Sequence, residues 1–324
     1  MEKIGVIGCG AWATTVGKLL AEVGHDTTLY CHREAYVDAI NGHHHNPFVL
    51  DNVLLPTGLK ATLDITRLHE LSCVVVGVPS QFLIETLAKI RPFLPEKIPI
   101  LSLVKGVVQS EKLFVCAAIE DMCSNPVAVL SGPNLAREIA LGKPAATVVA
   151  SRHKETALWM QHLLDHPLFR VYTSDDVRGV ELGGVFKNMV ALAAGICDGL
   201  ALGANAKSAL ITRSIYDLFN FSSVLGGKKE TFFGLSGMGD LMATCFSQDS
   251  RNWQMGYKMG QGQEWAKIGS GVAEGVRTLG LFTHLAHTHH LDTPIIYAVQ
   301  AVVAGEKKPE DAIKALLSRQ VRSE

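Results

Sequence analysis

The stretch IGVIGCGAWATTVGKLL (4–20) places Gly8 and Gly10 two residues apart, after a β-branched run and before a helical pattern. Glycines so placed let the backbone amides of a helix N-terminus approach an anion, above all a dinucleotide pyrophosphate. Gly8 permits the tight turn, Gly10 the close approach, and the third position of the pattern needs only to be small. Ala13 fills that third position, with Ala11 and Trp12 just before it. An NAD-specific turn of this kind usually ends its second strand with an acid that accepts from the ribose 2′-hydroxyl. Here Cys31, His32 and Arg33 stand there, and the first acid is Glu34. Arg33 can pair with a 2′-phosphate, which leans the chemistry to NADP. As a solvated loop residue it would leave NAD equally acceptable.

The elements that would position this turn follow in order. KIGVIG reads as a buried strand, and Val16, Leu19, Leu20 and Val23 recur at helical spacing before Gly24. DTTLYC (26–31), CVVVGVP (73–79), IPILSLVKG (98–106), VAVLSGP (127–133), AATVVAS (145–151) and FRVYTS (169–174) read as further strands. Ser80 is predicted to cap the helix after the 73–79 strand. Beyond about residue 178 the chain turns rich in Ala, Leu and Gly with no strand-like run, and 271–289 and 309–319 read as helices. The expectation is an α/β protein: a Rossmann-type, doubly wound, mostly parallel sheet over residues 1–178 that binds NAD(P), then an all-helical substrate and catalytic domain over 179–324.

The 324 residues are 48% hydrophobic and 19% charged, the balance of a folded chain. With 30 basic and 31 acidic residues the net charge is −1, so no global field attracts nucleic acid or an anionic membrane. No uninterrupted apolar run reaches membrane-spanning length. The seven cysteines are scattered and form no C-x-x-C, which argues against a disulfide framework and a cysteine zinc site. The N-terminus lacks the ordered regions of a signal peptide. These features predict a reduced, cytoplasmic protein. His43, His44 and His45 lie in a loop with no acidic or cysteine partner nearby, and His284, His287, His289 and His290 resemble the end of a surface helix before LDTP, so no metal is expected.

Four stretches together resemble one family: VPSQF (78–82) with KG (105–106); LSGPNLAREIA (130–140); GVELGGVFKNMVALAAGICDGLALGANAKSALITR (179–213); and GLSGMGDLMATCFSQDSRN (234–252) with GSGVAEG (269–275). The chain resembles bacterial-type NAD(P)-dependent glycerol-3-phosphate dehydrogenases almost end to end. The resemblance implies reversible hydride transfer between the cofactor and C2 of dihydroxyacetone phosphate, supplying sn-glycerol 3-phosphate for phospholipid synthesis. It implies Lys187 as the catalytic group, an ammonium that can give a proton to a developing alkoxide. It implies substrate contacts at Lys105, Gly132, Asn134, Asp240, Ser250, Arg251 and Asn252. It extends the cofactor set to Gly8, Gly10, Ala11, Trp12, Ala13, His32, Arg33, Lys105, Ala136, Arg251, Val272 and Glu274. Arg251 offers a planar fork for phosphate oxygens. A homodimer is implied by analogy of fold.

Ala11, Ala13 and Asn134 depart from the family pattern, where Ser, Gly and Ser or Thr are usual. Two other readings are therefore open: a dinucleotide-binding sensor with impaired turnover, or a related β-hydroxyacid dehydrogenase or ketopantoate reductase. The substrates of the latter enzymes carry a carboxylate, for which the SRN segment is not expected.

Overall fold

The computed structural model describes residues 1–108, 113–264 and 274–319. The chain divides into two compact units, Met1–Glu181 and Leu182–Glu324.

The first unit runs β1 (Lys3–Ile7), α1 (Ala11–Glu22), β2 (Asp26–Tyr30), α2 (Glu34–His43), β3 (His45–Asn46), β4 (Leu50–Leu54), β5 (Lys60–Thr62), β6 (Cys73–Val76), α3 (Leu83–Ile90), β7 (Ile100–Ser102), α4 (Val115–Met122), β8 (Val127–Ser131), α5 (Ala136–Ala140), β9 (Ala145–Ser151), α6 (Lys154–Leu163) and β10 (Phe169–Ser174). Eight strands form one sheet in the order β10-β9-β8-β7-β6-β1-β2-β5, and β3 pairs with β4 apart from it. Neighbouring strands in the sheet are parallel except β8 with β9.

Alternate residues of these strands point to opposite faces, and each face has its own core. Val6, Val75 and Leu101 join Val16 and Leu20 of α1 on one side. Ile7, Val74, Val76 and Ile100 join Leu83 and Leu87 of α3 on the other. This is why β6 reads CVVV without a polar residue: both faces are covered.

Three local expectations are corrected. Ser80 opens a 3₁₀ turn, Ser80–Phe82, and its side chain caps nothing; α3 begins only at Leu83. The strand expected over 98–106 is reduced to Ile100–Ser102. β3, β4 and β5 went unforeseen because they are short and partly exposed, as at Lys60, so alternation has little length to show.

The second unit is helical: α7 (Val177–Gly199, whose first five residues belong to the first unit), α8 (Gly203–Leu225), α9 (Lys229–Phe232), α10 (Asp240–Phe246), α11 (Arg251–Gly260), α12 (Glu274–Thr288), α13 (Pro294–Val303) and α14 (Pro309–Leu317). Among the described residues no strand follows Ser174. By length and composition α7 is apolar enough to cross a bilayer, with a mean hydropathy of 1.4 over its best window, although charged residues interrupt the run. That window is 94% buried, so its apolar surface serves as core.

α7 and α11 meet along a glycine seam. A Cβ on Gly195 would strike the Trp253 carbonyl, and one on Gly199 the Tyr257 carbonyl. From the other side, a Cβ on Gly256 would strike the Leu192 carbonyl, and one on Gly260 the Ile196 carbonyl. Backbones this close require that all four positions lack a side chain.

Candidate active site

In the first unit, β1 delivers the chain to Gly8, whose φ of +116° suits glycine. A Cβ there would lie 2.7 Å from the Gly77 carbonyl oxygen at the end of β6. Gly10 precedes α1, and a Cβ built on it meets no atom within 4 Å. The space beside Gly10 is thus open, while the amides of Ala11, Trp12 and Ala13 come before the first intrahelical bond, Thr14 N–H to Gly10 O at 2.9 Å. An open approach onto unpaired helix amides suits a dinucleotide pyrophosphate. Ala13 is fully buried, and a Cβ on Gly77 would come within 2.8 Å of the Ala13 Cβ. The close packing expected of the third glycine position is therefore shared: Ala13 on the helix, Gly77 on the strand.

Asn46 braces the turn from behind. Its Nδ2 donates to Cys9 O at 3.1 Å and Thr14 Oγ1 at 2.9 Å. The HHHNP segment thus contributes an asparagine, while His43 ends α2, His44 follows in the left-handed region and His45 lies in β3. His32 and Arg33 are both exposed at the end of β2. The Trp12 indole N–H is buried without a partner, and its ring lies 6.3 Å from that of Phe169.

A second group gathers after β7 and β8. Lys105 Nζ donates to Gly132 O at 2.8 Å. Gly132 is required by contact, since a Cβ there would lie 2.9 Å from the Thr147 Cα. Thr147 Oγ1 lies 3.0 Å from Asn134 Oδ1, which leaves the buried Asn134 Nδ2 with no partner. Ala136 opens α5 and its carbonyl accepts from Thr15 of α1 at 3.1 Å, tying this loop to the dinucleotide turn.

In the second unit, Lys187 projects from α7 and is 9% exposed; Asp240, the first residue of α10, is 1% exposed. Lys187 Nζ donates to Asp240 Oδ1 at 2.5 Å. Asp240 is presented by a π-helical turn, Leu235–Gly239, that passes close to α7: a Cβ on Gly183 would lie 2.5 Å from the Ser236 carbonyl oxygen. Ser250 caps α11, accepting from the Trp253 amide at 3.3 Å, and Arg251 is exposed at its first position. Asn252 Nδ2 donates to Asn188 Oδ1 at 3.0 Å, and Asn252 Oδ1 accepts from Gly275 N at 3.1 Å. Asn252, the residue after Arg251, thus joins the residue after Lys187 to the residue after Glu274. Val272 lies outside the described residues. Asn188, and Thr244, whose hydroxyl donates to Asp240 O at 2.7 Å, had not been singled out.

The two parts of the chain match the two models of one family: residues 3–157 match the N-terminus, and 176–314 the C-terminus, of NAD-dependent glycerol-3-phosphate dehydrogenase. A glycerol-3-phosphate dehydrogenase [NAD(P)+] of Corynebacterium aurimucosum is 40% identical over 332 residues, covering 100% of both chains. One of Streptomyces avermitilis is 41% identical over 329 residues, covering 99% of this chain and 98% of the other. The crystal structure of glycerol-3-phosphate dehydrogenase from Coxiella burnetii superposes with a TM-score of 0.92 at 33% identity, covering 98% of this chain and 99% of that one. A ketopantoate reductase from Ralstonia eutropha shares the fold alone, with a TM-score of 0.62 at 16% identity. The fold and the comparisons define a nicotinamide-dependent oxidoreductase. Within that class, the chain belongs to the NAD-dependent glycerol-3-phosphate dehydrogenase family.

Proposed function

We infer that the protein reversibly reduces dihydroxyacetone phosphate to sn-glycerol 3-phosphate with NADPH or NADH, supplying glycerophospholipid synthesis from the cytoplasm. The first unit is the cofactor-binding domain and the second carries substrate and catalysis. The observation that carries the chemical assignment is the buried Lys187–Asp240 pair. When bound, the nicotinamide supplies hydride to C2. Lys187 gives its proton to the C2 oxygen on reduction and takes it back on oxidation. Asp240 fixes the ammonium and Thr244 fixes Asp240. Arg251 takes the substrate phosphate as a bidentate fork, with Ser250 and Asn252 beside it as neutral donors. Gly8, Gly10 and the amides of Ala11–Ala13 hold the cofactor pyrophosphate.

The test is NAD(P)H oxidation with dihydroxyacetone phosphate, compared with dephosphorylated dihydroxyacetone and a 2-keto acid. Turnover only with the phosphorylated ketone is expected; preference for the keto acid would overturn the reading. Lys187→Met should lower kcat by about 10²–10⁴-fold. Because it strands a buried carboxylate, which costs about 3–5 kcal/mol, the double variant Lys187→Met/Asp240→Asn is the cleaner probe. It removes both charges and should fold, bind cofactor and remain inactive. Near-normal turnover in either would remove Lys187 from the mechanism.

A further inference from the structure

Cys9 occupies the middle of the Gly8–Gly10 turn, and the reaction makes no use of its sulfur. Parallel pairing sets Ile7 beside Tyr30, and the Gly8 amide donates to the Tyr30 carbonyl at 3.0 Å. That register brings the next side chains together. Gly8 falls beside Cys31 and Cys9 one residue beyond, both cysteines lie in one buried cluster, and Cys31 Sγ donates to Leu29 O at 4.0 Å. His32 Nδ1 lies 3.7 Å from Cys9 Sγ. Cys9 also sits one residue before Gly10, which precedes the unpaired amides of α1, and such amides favour a thiolate.

The two sulfurs are not equivalent. The adjoining Cys31 thiol and the nearness of His32 hold the Cys9 thiol well below the usual range, although burial opposes this. The adjoining Cys9 sulfur and burial both push the Cys31 thiol up. The other five cysteines, Cys73, Cys116, Cys123, Cys197 and Cys245, are all pushed up by burial. Cys9 therefore stands apart as the attacking sulfur, with a neighbouring thiol in place to resolve it.

We propose that Cys9 and Cys31 are a redox-modification site whose reversible disulfide closes the dinucleotide turn, and that bound dinucleotide shields the pair. The oxidant is a hydroperoxide. The Cys9 thiolate attacks its distal oxygen; the O–O bond breaks, the sulfur becomes a sulfenic acid and the leaving alkoxide takes a proton. Cys31 sulfur then attacks Cys9 sulfur, the S–S bond forms, and hydroxide leaves with the Cys31 proton as water. Two thiols and one hydroperoxide give one disulfide, one alcohol (water, for hydrogen peroxide) and one water.

Drawing the sulfurs to bonding distance pulls on the Cys9 backbone, whose carbonyl is tethered by Asn46 and by Thr14 of α1. The first turn of α1, where the pyrophosphate would rest, moves with it. A pyrophosphate in the same turn places negative charge near Cys9 and disfavours its thiolate. Disulfide and dinucleotide therefore oppose each other in both directions.

The inference rests on the dinucleotide-turn reading, and the test separates the two. Reduced full-length protein is treated with hydrogen peroxide, with and without saturating NADPH. Without NADPH, the intact mass should fall by two hydrogens, and peptide mapping should place the bond between Cys9 and Cys31. NADPH affinity should fall about tenfold or more, and dithiothreitol should restore it. Saturating NADPH should slow bond formation. Reduced Cys31→Ser should bind NADPH normally and form no such bond. Failure of the Cys9–Cys31 bond to form in wild type overturns the proposal whether or not the variant folds. So does a bond that leaves NADPH affinity unchanged, or one that forms at the same rate in saturating NADPH. Reduced protein that does not bind NADPH would instead fail the turn reading, while the mass measured without NADPH still decides the dithiol chemistry.

Discussion

Arg33 at the end of β2 is exposed, and we propose that it carries the choice between cofactors. A guanidinium that pairs with a 2′-phosphate makes a charge-assisted contact worth about 1.5–3 kcal/mol. Arg33→Ala should weaken NADPH by that amount and barely change NADH, read by titration of each; equal losses would show that Arg33 does not meet the 2′-phosphate. The glycine turn was legible in the sequence because its geometry depends on local spacing. Asn46, Asn188 and Thr244 were not singled out, although they hydrogen-bond to the glycine turn, Asn252 and Asp240. Asn46 meets Thr14 32 residues away, and Asn188 meets Asn252 64 residues away. Neither pairing leaves a local pattern to read.

Among the elements, α7 and α11 show how far a helix can be shaped by what it must not carry. Gly256→Ala places a methyl group on the Leu192 carbonyl and forces the helices apart. Overpacking of this kind costs about 1–3 kcal/mol, more than the roughly 1 kcal/mol that alanine gains over glycine within a helix. Gly280 in α12 has nothing within 4 Å of a built Cβ. Gly280→Ala should therefore stabilise by up to about 1 kcal/mol. Urea unfolding of the two variants should move in opposite directions; a stabilising Gly256→Ala would deny the seam. The strands of the central sheet were readable because burial on both faces makes them continuously apolar. The reversal of β9 was not, since a strand's own residues look alike in either direction.

Across the whole molecule, two buried carboxyls tie stability to pH. Glu181 accepts from the Cys116 amide at 2.9 Å in the first turn of α4. Asp217 accepts from the Ile295 and Ile296 amides at 3.0 and 3.1 Å in the first turn of α13. Burial outweighs these bonds and raises both groups to about 7, from 4.5 for Glu181 and 3.8 for Asp217. The folded protein thus holds these protons more tightly than the unfolded chain. Their contribution is complete below the unfolded values and is lost as pH rises through about 7, on the order of 3 kcal/mol each. Measured between pH 5 and pH 8, the Tm decline should be shallower in Glu181→Gln/Asp217→Asn than in wild type. Equal declines would mean that neither carboxyl is protonated in the folded state.

The strand order also has a temporal meaning. β1 is made first; β2 joins one of its edges and β5 extends that side. β6 then takes the other edge of β1, and β7, β8, β9 and β10 follow outward one by one. Each later strand of this sheet leaves the ribosome to find a free edge waiting, and none of them must be inserted between two already paired. The sheet can therefore accrete during synthesis. Nascent chains stalled after progressively later strands should gain protease resistance in steps; resistance that arises only when β10 has emerged would show that the sheet closes all at once.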